Sequence, residues 1–377
     1  VSKIGQIGHR LYTGEVSYDF VGRKRTWYVV SAAIIVVAVV AILTRGLNFG
    51  IEFKGGAQFQ TPTVTCSVEQ ARSAVEPFSG AEPIVQQVGD RGLRVQTGVL
   101  KAGDSQRIVA ALAQTCGVAD QQDISQTVIG ATWGDEVSKK AYTALVVFLV
   151  LVSLLIIVLF EVKMAIAAIV ALLHDLVITA GLYALVGFEV TPATVIGILT
   201  ILGYSLYDTI VVFDSLRENT RSLEKNPTRT YSEAANLSIN QTLVRSINTS
   251  VIALLPIGSI LVVGWLLLGA GTLKDLSLVL FIGIAASTFS SIFFATPLVA
   301  QLKEREPAMR AVAKRVRANR EKAARQQAAG APAVVEASGG VAVLEKASSP
   351  TGAPTAKGYR PPSRRADGSR PSRKRRK

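Results

Sequence analysis

The sequence predicts an α-helical polytopic membrane protein with one small α+β domain between its first two spans. Three observations point there. Of the 377 residues, 49% are hydrophobic and 18% charged, against roughly 25% charged in soluble domains. Six apolar runs, 27–43, 141–160, 164–186, 191–213, 247–268 and 276–299, have the length of about 17–25 residues that a helix needs to cross a bilayer. One long polar segment, 44–140, separates the first run from the second.

The first run is the shortest, so a signal-peptide core has to be weighed. Its charged N-terminal flank is long, and no small-x-small cleavage site precedes Thr44-Arg45-Gly46, which favours a retained span. Orientation follows from Lys and Arg beside the runs, because such residues stay on the cytoplasmic side. Arg10, Arg23, Lys24 and Arg25 precede the first run. Arg217, Arg221, Lys225, Arg229 and Arg245 crowd the connection between the fourth and fifth, while the connections 187–190 and 269–275 hold only Lys274. Both termini are therefore expected in the cytoplasm, with 1–26 a cytoplasmic arm and 44–140 on the exported face.

Segment 44–140 reads as strand 57–61, amphipathic helix 68–78, strands 83–88 and 93–97, helix 105–114 and strand 123–129. This strand-helix-strand-strand-helix-strand order is the ferredoxin-like arrangement. The only cysteines, Cys66 and Cys116, fall at the end of its first strand and of its second helix. The first and last strands of that topology are antiparallel neighbours, which brings these ends together. A disulfide fits an oxidising compartment. Two unpaired small buried residues are the other reading, because Cα separation is not legible in sequence.

The remaining runs make a five-helix stretch over 141–299. Beyond it the composition changes. Residues 1–300 hold 21 Lys plus Arg against 21 Asp plus Glu, and residues 301–377 hold 20 against 6. The net charge of +14 thus sits in the tail, 300–377. Residues 303–325 read as a continuation of the last helix, and the rest, ending "SRPSRKRRK", reads as disordered. Such a tail can hold anionic lipid or ribosomal RNA, at about 1 kcal/mol per Lys or Arg near an anionic membrane. The plainer reading is a solvated topogenic tail.

The polar residues inside the runs carry the functional expectation. A charged side chain at mid-bilayer costs roughly 2.5–3.5 kcal/mol even on insertion scales, yet "GYSLYDTIVVFD" (203–214) contains two carboxylates. Gly197, Thr200, Tyr204, Asp208, Val211 and Ser215 recur at spacings of three and four, so they form one helical stripe expected to face other helices or water. Asp214 is near enough to the span's end to reach water. In the fifth run Thr242, Arg245 and Thr249 share a stripe, and Arg245 either snorkels to the headgroups or pairs with Asp208 at similar depth. The third run contributes "ALLHDLVITAG", with His174 and Asp175 near mid-span. Intramembrane groups of this kind serve proton relays. A carboxylate's hold on its proton depends on the dryness of its site and on any guanidinium nearby, so moving Arg245 relative to Asp208 would couple protonation to helix movement. The competing view is that these residues only hydrogen-bond the helices together.

The motifs "YDFVGRKRTWY" (18–28), "GLNFGIEFKGG" (46–56), "AIAAIVALLHDLVITAGLYAL" (165–185), "GYSLYDTIVVFDSLREN" (203–219), "LVRSINTS" (243–250) and "SSIFFATPL" (290–298) are read here in order. By them the chain resembles the SecD/SecF family of protein-export membrane proteins, on its SecF side. The resemblance covers nearly everything up to Leu302 and leaves the tail out. It implies a half-sized fold of the resistance-nodulation-division (RND) transporter type, six spans and a ferredoxin-like exported domain. It further implies a bacterial cytoplasmic-membrane protein that helps translocation with the proton-motive force and without an ATP site.

The partners it implies are SecD, the SecYEG channel, an accessory insertase, secretory polypeptides and membrane lipids, with no specific DNA. The residues it implies in proton transfer are Asp208 and Arg245, with lesser weight on His174 and Asp175. Three positions depart from the family pattern: Tyr207 stands where Asn is usual, Glu52 for Asp and Ser246 for Thr. Glu52 and Ser246 preserve the chemistry. Tyr207 removes an amide from the expected pathway.

Two other function classes share these features. A small-molecule efflux transporter of the same superfamily predicts a second six-span repeat and a larger exported region. A non-conducting translocon scaffold predicts that Asp208→Asn is harmless. No enzyme is expected, since the intramembrane His and carboxylates lack a nucleophile, and no glycine loop precedes a Lys to cradle phosphate. Neither a metal site nor a cofactor is expected. The glycines of "GLNFGIEFKGG" suit a hinge between bilayer and domain or an ordinary turn into the first strand.

Overall fold

The structure, a computed structural model, describes residues 17–62, 64–88, 92–266 and 272–330. Arg10 and the "SRPSRKRRK" end lie outside the described residues. Helix α1 (Lys24–Arg45) is followed by the short strand β1 (Asn48–Phe49) and one helical turn, α2 (Ile51–Lys54). Then come β2 (Gly56–Gln60), α3 (Val68–Val75), β3 (Ile84–Val88), β4 (Gly92–Thr97), α4 (Asp104–Cys116) and β5 (Ser125–Ile129). The chain re-enters the bundle with α5 (Ala131–Leu159) and α6 (Val162–Val186), then β6 (Glu189–Val190), α7 (Pro192–Thr220) and α8 (Tyr231–Leu266). It closes with α9 (Thr272–Ser290), a π-helical turn (Ser291–Ala295), α10 (Thr296–Glu304) and α11 (Pro307–Gly330).

The helices long and apolar enough to span a membrane number six among the described residues, at the six places the apolar runs mark. Two reach well past their apolar runs. α5 starts at Ala131 and α8 at Tyr231, because a helix does not end where its surroundings turn from lipid to water. The tail also differs from expectation. The last helix stops at Glu304, and α11 begins afresh with Pro307, a residue suited to a first helical turn. Met309, Val312 and Val316 on α11 are buried in the bundle's core, so this stretch of the basic tail is packed structure. The arm before α1 is fixed too. Asn240 accepts from the Tyr18 N–H at 2.9 Å, Asn236 accepts from the Phe20 N–H at 2.8 Å, and Phe20 and Val21 are buried.

The segment between α1 and α5 folds as the pattern predicts. Its four-stranded sheet has the order β3-β4-β2-β5 with every pair antiparallel, the ferredoxin-like topology. Alternation sends Ala57, Phe59, Leu93 and Val95 to one face, where they pack with Ile108 and Leu112 of α4 and Val75 of α3. Ser67 and Gln70 form a reciprocal capping box that starts α3. Cys66 and Cys116 are joined by a disulfide. The sheet's other face carries Gln58, Arg94 and Gln96, and there the domain meets Glu189 of β6.

Two connections at this junction are not legible in sequence. β1 pairs in parallel with β6, tying the end of α1 to the α6–α7 connection. The "KGG" turn requires its glycines: Gly55 and Gly56 adopt φ of 75° and 146°, and a Cβ on Gly56 would lie 2.3 Å from the Thr97 carbonyl oxygen. A freely substitutable turn is thereby excluded. Inside the bundle, small residues let helices approach closely, as expected where burial from lipid gains little. A Cβ on Gly181 of α6 would lie 2.2 Å from that of Ala38 on α1.

Candidate functional site

Two buried carboxylates stand in the bundle, each held by hydroxyls from neighbouring helices. Asp175, midway along α6, is 0% exposed and accepts from Ser205 Oγ of α7 at 2.6 Å. His174 beside it contacts Ser31 Oγ of α1 through Nε2, and its Nδ1 lies 3.5 Å from Asp175 Oδ1. The His174 ring stacks on Phe294 at 4.6 Å.

Asp208 lies one helical turn beyond Ser205 on α7 and is 4% exposed. Its Oδ1 accepts from Ser246 Oγ of α8 at 2.7 Å, and its Oδ2 accepts from Ser291 Oγ of the π-helical turn. Beside it, Tyr204 donates to Ser250 Oγ at 3.2 Å, and Ser250 shares a 2.7 Å hydrogen bond with Thr288 of α9. A π turn inside an α-helix is rare and often marks a functional site. Here it places Ser291 on Asp208 and Phe294 on His174 at once.

The local sequence explains why these groups converge. Ser205, Asp208 and Thr209 share a face of α7, and all three are buried. The centre of the polar face is therefore offset from the predicted stripe. Thr200 is exposed and returns its hydroxyl to the Ile196 carbonyl at 2.8 Å. Thr249 likewise bonds the backbone of Arg245 at 2.8 Å, so of the stripe residues only Tyr204 joins the network around Asp208.

Of the two readings of Arg245, the pair with Asp208 is not the one formed. Successive helical residues point about 100° apart, and α8 spends its inward direction on Ser246. Arg245 is exposed and lines an open cleft of about 740 Å³ with Asp214, Glu218, Asn219 and Asn248. Among the described residues it makes no ion pair.

Ser31, Ser205, Ser250, Thr288 and Ser291 were missed by sequence reasoning. A serine within an apolar run fits either side of a helix, and only its spacing from Asp208 or Asp175 on the same helix could have marked one, as it does for Ser205. Chemically, hydroxyls accept as well as donate, so a chain of them can reverse direction when a carboxylate gains or loses a proton. No group of three or more His, Cys, Asp or Glu suited to a metal occurs among the described residues.

With this geometry in hand, comparison decides the family. The family described as protein export membrane protein SecD/SecF, C-terminal, matches residues 108–305, and the SecD/SecF GG motif matches residues 40–64. The chain belongs to the SecD/SecF family of protein-export membrane proteins.

It is 53% identical over 321 residues to the protein translocase subunit SecF of Streptomyces coelicolor, covering 85% of this chain and 86% of that one. It is 34% identical to the protein translocase subunit SecDF of Thermus thermophilus, covering 81% of this chain and 41% of that longer one. The crystal structure of SecDF from Thermus, titled a translocon-associated membrane protein, superposes with a TM-score of 0.68 at 32% identity, over 77% of this chain and 39% of that one. SecD/SecF membership sets the chain's work in protein export, and the "KGG" turn lies within the stretch that matches the SecD/SecF GG motif.

Proposed function

We propose that the chain is the SecF-type subunit of a Sec translocon, and that it uses proton movement through its bundle to promote export of secretory polypeptides. The observation that carries this is Asp208, a carboxylate buried in a membrane bundle and held by hydroxyls from two other elements, one of them a π turn. A structural tie between helices needs no ionisable group, and a charge there is costly.

In this reading Asp208 exchanges the proton, with Asp175 and His174 as a second station whose partner Ser205 lies one helical turn from Asp208. Arg245, facing an open cleft, serves the cytoplasmic approach and does not hold Asp208 in the state seen. The chain acts as a non-enzymatic subunit beside SecD and the SecYEG channel, with the accessory insertase as a further neighbour. The flanking Lys and Arg support a bacterial cytoplasmic-membrane location with both termini inside, and the disulfide supports an oxidising exported face for the ferredoxin-like domain. The basic tail beyond α11 is assigned to anionic lipid or the ribosome.

The test is export of a secretory substrate in vesicles carrying the partner subunit, with and without a proton gradient, at matched membrane levels. Asp208→Asn is expected to abolish the gradient-dependent part. Unchanged export would leave Asp208 a structural residue and favour the scaffold reading.

A further inference from the structure

Away from the bundle's carboxylates, a second acidic group sits where the ferredoxin-like domain meets the membrane helices. Glu189 of β6 is 17% exposed and Arg94 of β4 is 11% exposed. Gln96 Nε2 donates to Glu189 Oε1 at 2.7 Å and to Gln58 Oε1 at 3.2 Å, while Arg94 Nη1 lies 4.0 Å from Glu189 Oε2. These contacts join the sheet's polar face to the α6–α7 connection, and all of them meet at one carboxyl group.

Glu52 of α2 faces the same point. A Cβ on Gly50 would lie 2.5 Å from Glu52 Oε2 and 2.9 Å from Glu189 Oε1, so the two side chains converge over one glycine. Glu52 Oε2 and Arg94 Nε are both buried without a hydrogen-bond partner. The charged groups facing Glu189 are thus Glu52 from α2, Arg94 from β4 and Asp275 from the start of α9, whose neighbour is Lys274; Lys54 and Glu82 line the adjoining cavity of about 240 Å³.

We propose that a proton on Glu189 closes this joint, and that its loss releases the ferredoxin-like domain from the orientation the bundle imposes. It deepens the export reading, on which its biological meaning rests: the exported side of an energised membrane is the proton-rich one. Protonated Glu189 keeps its acceptor for Gln96 and adds no charge beside Glu52 and Asp275. Ionised, it sets a buried negative charge beside the Glu52 and Asp275 side chains, with Arg94 at the limit of contact. Burial, offset in part by Gln96 and Arg94 and reinforced by Glu52 and Asp275, holds the Glu189 carboxyl above the usual carboxylate range. The sign follows: the closed joint binds the proton more tightly than a solvated one, so closure is favoured at low pH and weakens as pH rises through the raised value.

The test uses the full chain in lipid nanodiscs, spin-labelled through Gln106→Cys on exposed α4 and Leu273→Cys on exposed α9, with the disulfide left intact. Pulsed distance measurements are expected to give one narrow distribution near pH 5 that loses about half or more of its amplitude by pH 8, a window above the ordinary Glu pKa. Glu189→Gln should stay narrow throughout, because the amide keeps the acceptor without the charge, and Glu189→Ala should be broad throughout. Glu52→Gln should move the transition to lower pH, because it removes a neighbour that disfavours the Glu189 carboxylate. A wild-type distribution that does not change with pH, or a pH dependence that survives Glu189→Gln, overturns the proposal. Because the readout is a distance, a failed export assay leaves it standing, and a flat distance profile leaves the Asp208 reading untouched.

Discussion

The ferredoxin-like domain and the helical bundle both bury apolar side chains, but the bundle alone buries carboxylates and a dense set of serines among them. The domain's core is apolar: Phe59, Val95, Ile108 and Leu112 are sealed inside, and Gln58 and Gln96 lie on the sheet's other face. In the bundle, Ser205, Ser246, Ser290, Ser291, Asp175 and Asp208 are buried while Leu155, Val158 and Leu255 face out. The difference teaches that the surrounding solvent decides what an interior is for. Against water, hiding Leu is the driving force. Against lipid tails that force vanishes, so the interior is free to hold hydroxyls and carboxylates, and does.

Four measurements break or sharpen the contrast. The largest effect belongs to the domain's cross-link. The disulfide spans 50 residues, so Cys66→Ser with Cys116→Ser should lower the domain's stability by about 4 kcal/mol and leave the bundle's helices intact, read by protease resistance of each part. Next come two leucines. Leu112→Ala should cost about 2–5 kcal/mol, whereas Leu155→Ala on the lipid-facing side of α5 should cost less than about 0.5 kcal/mol, compared by thermal unfolding in detergent. Equal costs would end the comparison.

Third, Ser291→Ala removes a hydroxyl from a buried carboxylate, a loss of about 1.5–3 kcal/mol; gradient-dependent export should fall about tenfold or more while the helices persist. If Ser291→Ala behaves as wild type, the bundle's interior is packing and nothing else. The smallest is Tyr204→Phe, which removes one neutral hydrogen bond to Ser250 and should cost about 1 kcal/mol, seen as a small downward shift in melting temperature.

The same contrast explains what the sequence revealed. Runs of about 20 apolar residues announce helices without tertiary help, and period-two alternation announced the strands 57–61 and 93–97. Both signals are local. Pairing of β1 with β6 joins two-residue strands 141 positions apart, Asn48 with Glu189, and no local pattern can carry it. Asp208 and Asp175 were legible because a carboxylate in an apolar run is conspicuous. Most of their hydroxyl partners were not: Ser246 stood out only against the family pattern, and Ser291 looks like any small residue in a helix. Arg245 attracted attention by its charge, and the residue beside it turned out to face the site. For the cysteines, topology brought the two ends close, and the pairing itself is a property of the folded domain.

The π turn at Ser291–Ala295 has a consequence for how this helix tolerates changes of length. A turn closed by i→i+5 bonds accommodates one residue more than an α-turn. Deleting a single residue there would let the strand of backbone from α9 into α10 heal into an uninterrupted α-helix, with Val279 before it and Val299 after it still facing the core that buries them now. What would be lost is the local swing that aims Ser291 and Phe294. Among single-residue deletions in the spans, one in this turn should be the least damaging to assembly and among the most damaging to transport.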